Sequence, residues 1–154
     1  MSAASSLQPT SDSFTVSFDA VYVTESITLD LQITDRNEVS IDAGTDRIIA
    51  SPVSESNLTM MVTNLGTSSQ TFVADINNSQ VSDFFSISVD KLTLTLAPGE
   101  SGTITLSAME VVTGAPESGL DMTVSVVSAT DSTVSDSLEI SIIPTIANGQ
   151  ITVL

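Results

Sequence analysis

The stretch LTLTLAPGESGTITLS, residues 92–107, decides the fold class of this chain. Leu92, Leu94 and Leu96 alternate with Thr93 and Thr95, a period of two that gives a β-strand one apolar and one hydroxyl face. Pro98-Gly99 stops the run. Proline presets φ at the first central position of a turn, and glycine supplies the positive φ that a type II turn needs at the second. Ile104 and Leu106 then resume the alternation against Thr103, Thr105 and Ser107. The stretch predicts strand, tight turn, strand, and reads as a hairpin. The polar face of both strands is Thr and Ser without an ionisable group, which makes it scaffold rather than working surface.

The same logic recurs outward in both directions. Toward the C-terminus, Met122, Val124 and Val126 mark one strand, and Leu138, Ile140 and Ile142 another, which Pro144 ends. Asn148-Gly149 between TIA and QITVL predicts a small terminal hairpin. Toward the N-terminus, Phe85, Ile87 and Val89, then Phe72, Ala74 and Ile76, then Leu58, Met60 and Val62 form further inward sets, with Asn64-Leu65-Gly66 as a turn. Phe14, Val16 and Phe18 pair in the reading with Ile27, Leu29, Leu31 and Ile33 as a hairpin turning at Thr24-Glu25-Ser26. Val39 and Ile41 suggest a short strand between them and the steadier pattern. No stretch shows a helical period over ten or more residues. About seven strands between Asn57 and Ile143, spaced by turn signals, predict an all-β sandwich. The expected organisation is a flexible arm at 1–13, a β-rich N-terminal region at 14–56, the sandwich at 57–143 and a C-terminal strand or arm at 144–154.

Composition narrows the function. With 154 residues the chain holds one domain, or one domain and an arm. Its 41% hydrophobic content supports a core, and with 4% aromatics and no Trp that core rests on aliphatic residues and five Phe. Nineteen Asp and Glu against three Lys and Arg leave a net charge of −16. Such a surface repels phosphate, so neither nucleic acid nor an anionic membrane is an expected partner. Acidity with almost no lysine fits solvation in concentrated salt and a halophilic host, because salt screens the self-repulsion; the plainer alternative is a Ser/Thr-rich secreted or virion surface that is acidic for solubility alone. The chain has no Cys and no His, which removes disulfides, thiolate metal sites and the commonest general base. A nucleophile elbow and a phosphate-binding glycine loop are absent as well, so an enzyme is not expected. Residues 1–14 lack a basic and an apolar segment of the kind that makes a secretory signal.

Several residues are candidates against a plainer alternative. Asp35, Asn37, Glu38, Asp42 and Asp46 concentrate oxygen ligands suited to a calcium ion, without the spacing of an EF-hand; the alternative is a solvated acidic loop, and no other cofactor is expected. Asn57 and Asn77 open glycosylation sequons in a chain so rich in Ser and Thr that such triplets also arise by chance. Arg36, Arg47 and Lys91, the three cations, read as local surface ion pairs or as intersubunit contacts. The apolar Ile151, Val153 and Leu154 suggest an interface strand that augments a neighbour's sheet, against a last strand paired within its own domain.

The second part of the chain resembles the immunoglobulin-like and fibronectin-III-like domains of prokaryotic surface and virion proteins, including CARDB-type adhesion modules. LTMMVTNLGTSSQTFVADI is similar to their strand, Asn-x-Gly turn and following strand. LTLAPGESGTITL is similar to their Pro-Gly turn before a Thr-rich strand, and DMTVSVVSATDSTVSDSLEISI to their two closing strands. The resemblance implies an immunoglobulin-like antiparallel β-sandwich with a β-rich N-terminal extension, and a binding or scaffolding role without catalytic residues. The expected function is a structural subunit of a virion, as a capsid decoration, turret or tail-associated protein. It would form a homo-oligomer and attach to other virion or surface proteins. The alternative is an extracellular filament or adhesion module of a prokaryotic cell surface.

Overall fold

The computed structural model describes residues 11–32 and 34–145. Eleven strands lie among the described residues: β1 (Ser11–Ala20), β2 (Val23–Gln32), β3 (Val39–Ala43), β4 (Arg47–Ala50), β5 (Ser56–Asn64), β6 (Gln70–Asn77), β7 (Phe85–Val89), β8 (Thr93–Leu96), β9 (Ser101–Glu110), β10 (Leu120–Ser128) and β11 (Ser135–Pro144). They form a five-stranded sheet in the order β4-β11-β10-β6-β8, a four-stranded sheet in the order β3-β5-β9-β7, and a separate two-stranded sheet, β1-β2. The two larger sheets stack as an immunoglobulin-like sandwich.

Alternation explains the core. In β5 the residues Leu58, Met60 and Val62 are buried and their neighbours Thr59 and Met61 exposed. In β9 the buried set is Ile104, Leu106 and Ala108, and in β10 it is Met122, Val124 and Val126. Phe72 of the five-stranded sheet and Phe85 of the four-stranded sheet are the largest fully buried side chains, the two bulky members of a mainly aliphatic interior.

The Leu92–Ser107 stretch contains its predicted turn but is not a hairpin. Gly99 has φ 73°, and the Glu100 amide donates to the Ala97 carbonyl at 3.0 Å, as a type II turn requires. β8, however, pairs with β6, and β9 pairs with β5 and β7. The turn is therefore an arch that carries the chain from one sheet to the other. Leu96 and Ile104 are buried between the sheets rather than side by side on one.

Val39–Ala50, grouped with the N-terminal region on sequence grounds, is hydrogen-bonded into both sheets. β3 is antiparallel to β5, and β4 is parallel to β11. The chain crosses from one sheet to the other through residues 44–46, so Ile41, Ile48 and Ala50 all reach the core.

The N-terminal hairpin turns at Val21-Tyr22, not at Thr24–Ser26. Thr24, Glu25 and Ser26 are ladder residues opposite Asp19, Phe18 and Ser17. Parity is the reason. A three-residue turn centred on Glu25 would pair even positions with even ones, placing Phe14 and Val16 on the face opposite Ile27 and Leu29. The two-residue turn pairs Phe14 with Leu29 and Val16 with Ile27, so the apolar residues share one face.

Candidate functional site

The β1-β2 hairpin is a sheet whose apolar face has no cover among the described residues. Phe14 is 54% exposed, Ile27 55% and Leu31 56%, with Val16 and Leu29 also in solvent. The opposite face carries Ser13, Thr15, Ser17, Thr24, Ser26, Thr28 and Asp30, with the Thr15 and Thr28 hydroxyls 3.3 Å apart. Neither strand is hydrogen-bonded to the sandwich sheets. At the tip, Val21 and Tyr22 are almost fully exposed. A two-stranded sheet is marginal alone in water, and half of this one is hydrophobic.

Residues 34–38 root the hairpin on one pole of the sandwich. The Leu65 amide donates to the Glu38 carbonyl at 2.9 Å, the Thr67 amide to the Arg36 carbonyl at 2.8 Å, and the Arg36 amide to Thr67 Oγ1 at 3.0 Å. Gly66 sits so close that an added Cβ would lie 2.7 Å from the Arg36 carbonyl oxygen. Gln70 Nε2 donates to Asn37 Oδ1 at 2.9 Å, and Ser128 Oγ donates to Gln70 Oε1 at 2.7 Å, which ties the root to the β10-β11 end.

Buried Asn64 organises the same pole. Its Nδ2 donates to the carbonyls of Ser68 (2.8 Å) and Leu96 (3.0 Å), and its Oδ1 accepts from the Gly66 amide at 2.9 Å. Its backbone accepts from Gly99 and donates to Glu100, locking the arch turn in place. The sequence marks Asn64 only as a turn residue.

The residues singled out for a cation are spread along the root and the first sandwich strands. Asp35 Oδ1 accepts from Thr67 Oγ1 at 3.1 Å, Asn37 accepts from Gln70, and Glu38 pairs with Arg36. Asp42 is exposed on β3, and Asp46 lies 3.4 Å from Arg47 Nε. Three of the five thus spend their oxygens on holding the root. Among the described residues no three acidic side chains converge as a metal cluster. A shallow polar depression of about 180 Å³ on the five-stranded sheet is lined by Asn77, Ser79, Gln80, Asp121, Thr123 and Glu139, with the Asp121 carboxylate accepting from Ser141.

Each cation lies beside a sequence neighbour: Arg36 at Glu38, Arg47 at Asp46 and Lys91 at Asp90 (3.9 Å), all on half-exposed or exposed side chains. Asn57 and Asn77 are both exposed, Asn57 on β5 and Asn77 at the end of β6 in the other sheet. Ile151, Val153 and Leu154 lie outside the described residues.

The alternation of Phe14, Val16, Ile27, Leu29 and Leu31 is plain in the sequence, and its lack of cover among the described residues is not. The parity of the two apolar sets marks a one-faced hairpin and does not say whether a third layer covers that face.

No family model matches the chain, and no curated protein does. Among solved structures it is similar to a FixG-related protein from Vibrio parahaemolyticus, at 16% identity and TM-score 0.53, over 73% of this chain and 100% of that one. It is also similar to domains 4 and 5 of the S-layer protein SbsC (14% identity, TM-score 0.45, 88% of this chain and 58% of that one). A CARDB domain from Pyrococcus furiosus, solved in complex with di-metal ions, matches at 13% identity and TM-score 0.41, over 71% and 89%. At these identities the likeness is one of fold, with the Vibrio protein the firmest of the three.

Proposed function

We propose that this chain is a non-enzymatic structural subunit of a virion, a capsid decoration, turret or tail-associated protein from a salt-loving host, working by self-assembly and attachment. The observation that carries the reading is the rooted β1-β2 hairpin, whose apolar face stands in solvent while its other face is hydroxyl and acid. A sandwich with its own complete core needs no such element to fold. A subunit that must bury part of itself in a particle does. The absence of His and Cys from the sequence and its net charge of −16 support a structural role in salt.

The exposed sequons at Asn57 and Asn77 support a second reading, an adhesion or filament module on a prokaryotic cell surface. Peptide mass spectrometry separates the two. Virus particles banded by density in high salt are expected to hold this chain in amounts comparable to other coat proteins. Recovery in the cell envelope fraction instead, with glycan on Asn57 or Asn77, sinks the virion reading.

A further inference from the structure

We infer that Asn77 is the glycan acceptor of this chain and that Asn57, which opens the other sequon, is not. This goes beyond both readings above, since a coat subunit and a cell-surface module can each carry a glycan.

An Asn-x-Ser/Thr triplet is modified at a surface, by a transferase that must take up the Asn amide and the hydroxyl two residues on. Asn57-Leu58-Thr59 and Asn77-Asn78-Ser79 satisfy the triplet equally. Each Asn follows an exposed carboxylate by two residues, Glu55 in one case and Asp75 in the other. Residue types therefore do not choose between the two. The local backbone does.

Asn57 lies inside β5. It pairs with Ser107 of β9, whose Oγ donates to Asn57 Oδ1 at 2.7 Å. On a strand the side chains of residues two apart stand parallel on one face, about 6.6 Å from each other. The Thr59 hydroxyl is held at that spacing from the Asn57 amide. Leu58 between them is buried in the core and paired with Leu106. Folding this triplet into a turn would pull Leu58 out of the interior and break the β5-β9 ladder.

Asn77 closes β6, and the chain leaves the sheet at Asn78. Ser79 Oγ donates to Asn77 Oδ1 at 3.1 Å, so amide and hydroxyl already meet on one side of the chain. Asn77, Ser79 and Gln80 are all exposed. The turn that holds them is a formed one, with the Val81 and Ser82 amides both donating to the Asn78 carbonyl at 3.0 Å. Presenting this triplet to an enzyme moves no core side chain and opens no ladder.

The surroundings suit a sugar. The polar depression of about 180 Å³ starts at Asn77 and Ser79 and runs over Gln80, Asp121, Thr123 and Glu139. Their amide, hydroxyl and carboxylate groups match the hydroxyls of a first sugar ring. The donor is an oligosaccharide linked to a lipid diphosphate. Asn77 Nδ2 forms a bond to the anomeric carbon, and the bond from that carbon to the diphosphate oxygen breaks. The diphosphate leaves with the electron pair, and the amide proton passes to a carboxylate of the transferase.

Peptide mass spectrometry of the chain isolated from the cells or particles that carry it is expected to find glycan on Asn77 and none on Asn57. A purified oligosaccharide transferase, supplied with the lipid-diphosphate donor, tests the reason. On the folded full chain it is expected to add one glycan, several-fold faster at Asn77 than at Asn57. Asn77→Gln and Ser79→Ala each abolish the addition, and Asn57→Gln leaves it unchanged. Synthetic peptides spanning residues 53–61 and 73–81 are expected to be modified at similar rates, because the fold and not the triplet makes the choice. A bare Asn77 in the native chain, equal rates at both positions of the folded chain, or a folded chain left bare while the 73–81 peptide is modified overturns the inference. Recovery of the glycosylated chain in particles or in the cell envelope bears on the two readings above and not on which Asn is modified.

Discussion

At the scale of single residues, Asn64 carries more of the fold than its small side chain suggests. Two donors and one acceptor on a fully buried amide meet three backbone groups from two segments, the loop after β5 and the end of β8. Asn64→Ala strips those groups of their partners where water does not replace them. A loss of about 3 kcal/mol is expected in urea unfolding, since each unsatisfied buried group costs roughly 1–3 kcal/mol. Asp131 presents the opposite case, a half-exposed surface carboxylate. Hydrogen bonds from the Thr133 hydroxyl (2.6 Å) and amide (3.0 Å) hold its carboxyl below the usual Asp value, the hydroxyl having the larger effect. A lowered folded-state pKa means that the contribution to stability is present above the unfolded value and is lost as pH falls through the folded one. A side-chain NMR titration is expected to place the Asp131 midpoint below the usual Asp value. In Thr133→Ala, which removes the larger of the two bonds, that midpoint moves up. Equal midpoints for Asp131 in the two proteins contradict the assignment. Neither role was legible in the sequence: Asn64-Leu65-Gly66 marks a turn without saying that the Asn64 amide is buried in it, and Asp131 sits in a run of Thr, Asp and Ser where any residue could have been the turn former.

At the scale of elements, strands were legible and their partners were not. Alternation fixes which side chains are buried, and β5, β9, β10 and β11 follow it nearly residue for residue. It does not say whether two apolar faces joined by a tight turn lie side by side in one sheet or face each other across two. Leu92–Ser107 takes the second course because β6 and β5 stand ready in opposite sheets to accept β8 and β9. Thr71 and Thr95 are cross-strand partners with hydroxyls 2.8 Å apart. Thr71→Cys with Thr95→Cys is therefore expected to close an intramolecular disulfide under mild oxidation and to stabilise the fold by about 2–4 kcal/mol. Two free thiols after oxidation argue for the hairpin and against the arch. The N-terminal hairpin was half legible in the same way. Its face was visible in the alternation, whereas its exposure depends on there being no third layer among the described residues, which no local pattern encodes.

At the scale of the whole molecule, charge and the uncovered face act on stability in separable ways. The three cations lie beside acids one or two residues away, and the chain keeps a net charge of −16. In dilute buffer its self-repulsion acts over a screening length of about 10 Å, and in molar salt over about 3 Å. Unfolding spreads the charges apart, so the folded state gains more from screening than the unfolded chain does. The midpoint of thermal unfolding is expected to rise by about 5 °C between about 0.1 M and about 1 M sodium chloride, which corresponds to roughly 2 kcal/mol for a domain of this size. That part is independent of protein concentration. Burial of the hairpin faces in the assembly proposed above would add a second part, because anything that binds the native state alone raises the midpoint by mass action. At high salt the midpoint should climb further with protein concentration in the unaltered chain and stay flat in a Val16→Glu, Leu29→Glu variant. Calorimetry over a range of concentrations at both salts resolves the two. A midpoint insensitive to salt would mean that the acidic surface is not under strain in dilute buffer, and the halophilic origin would lose its physical support.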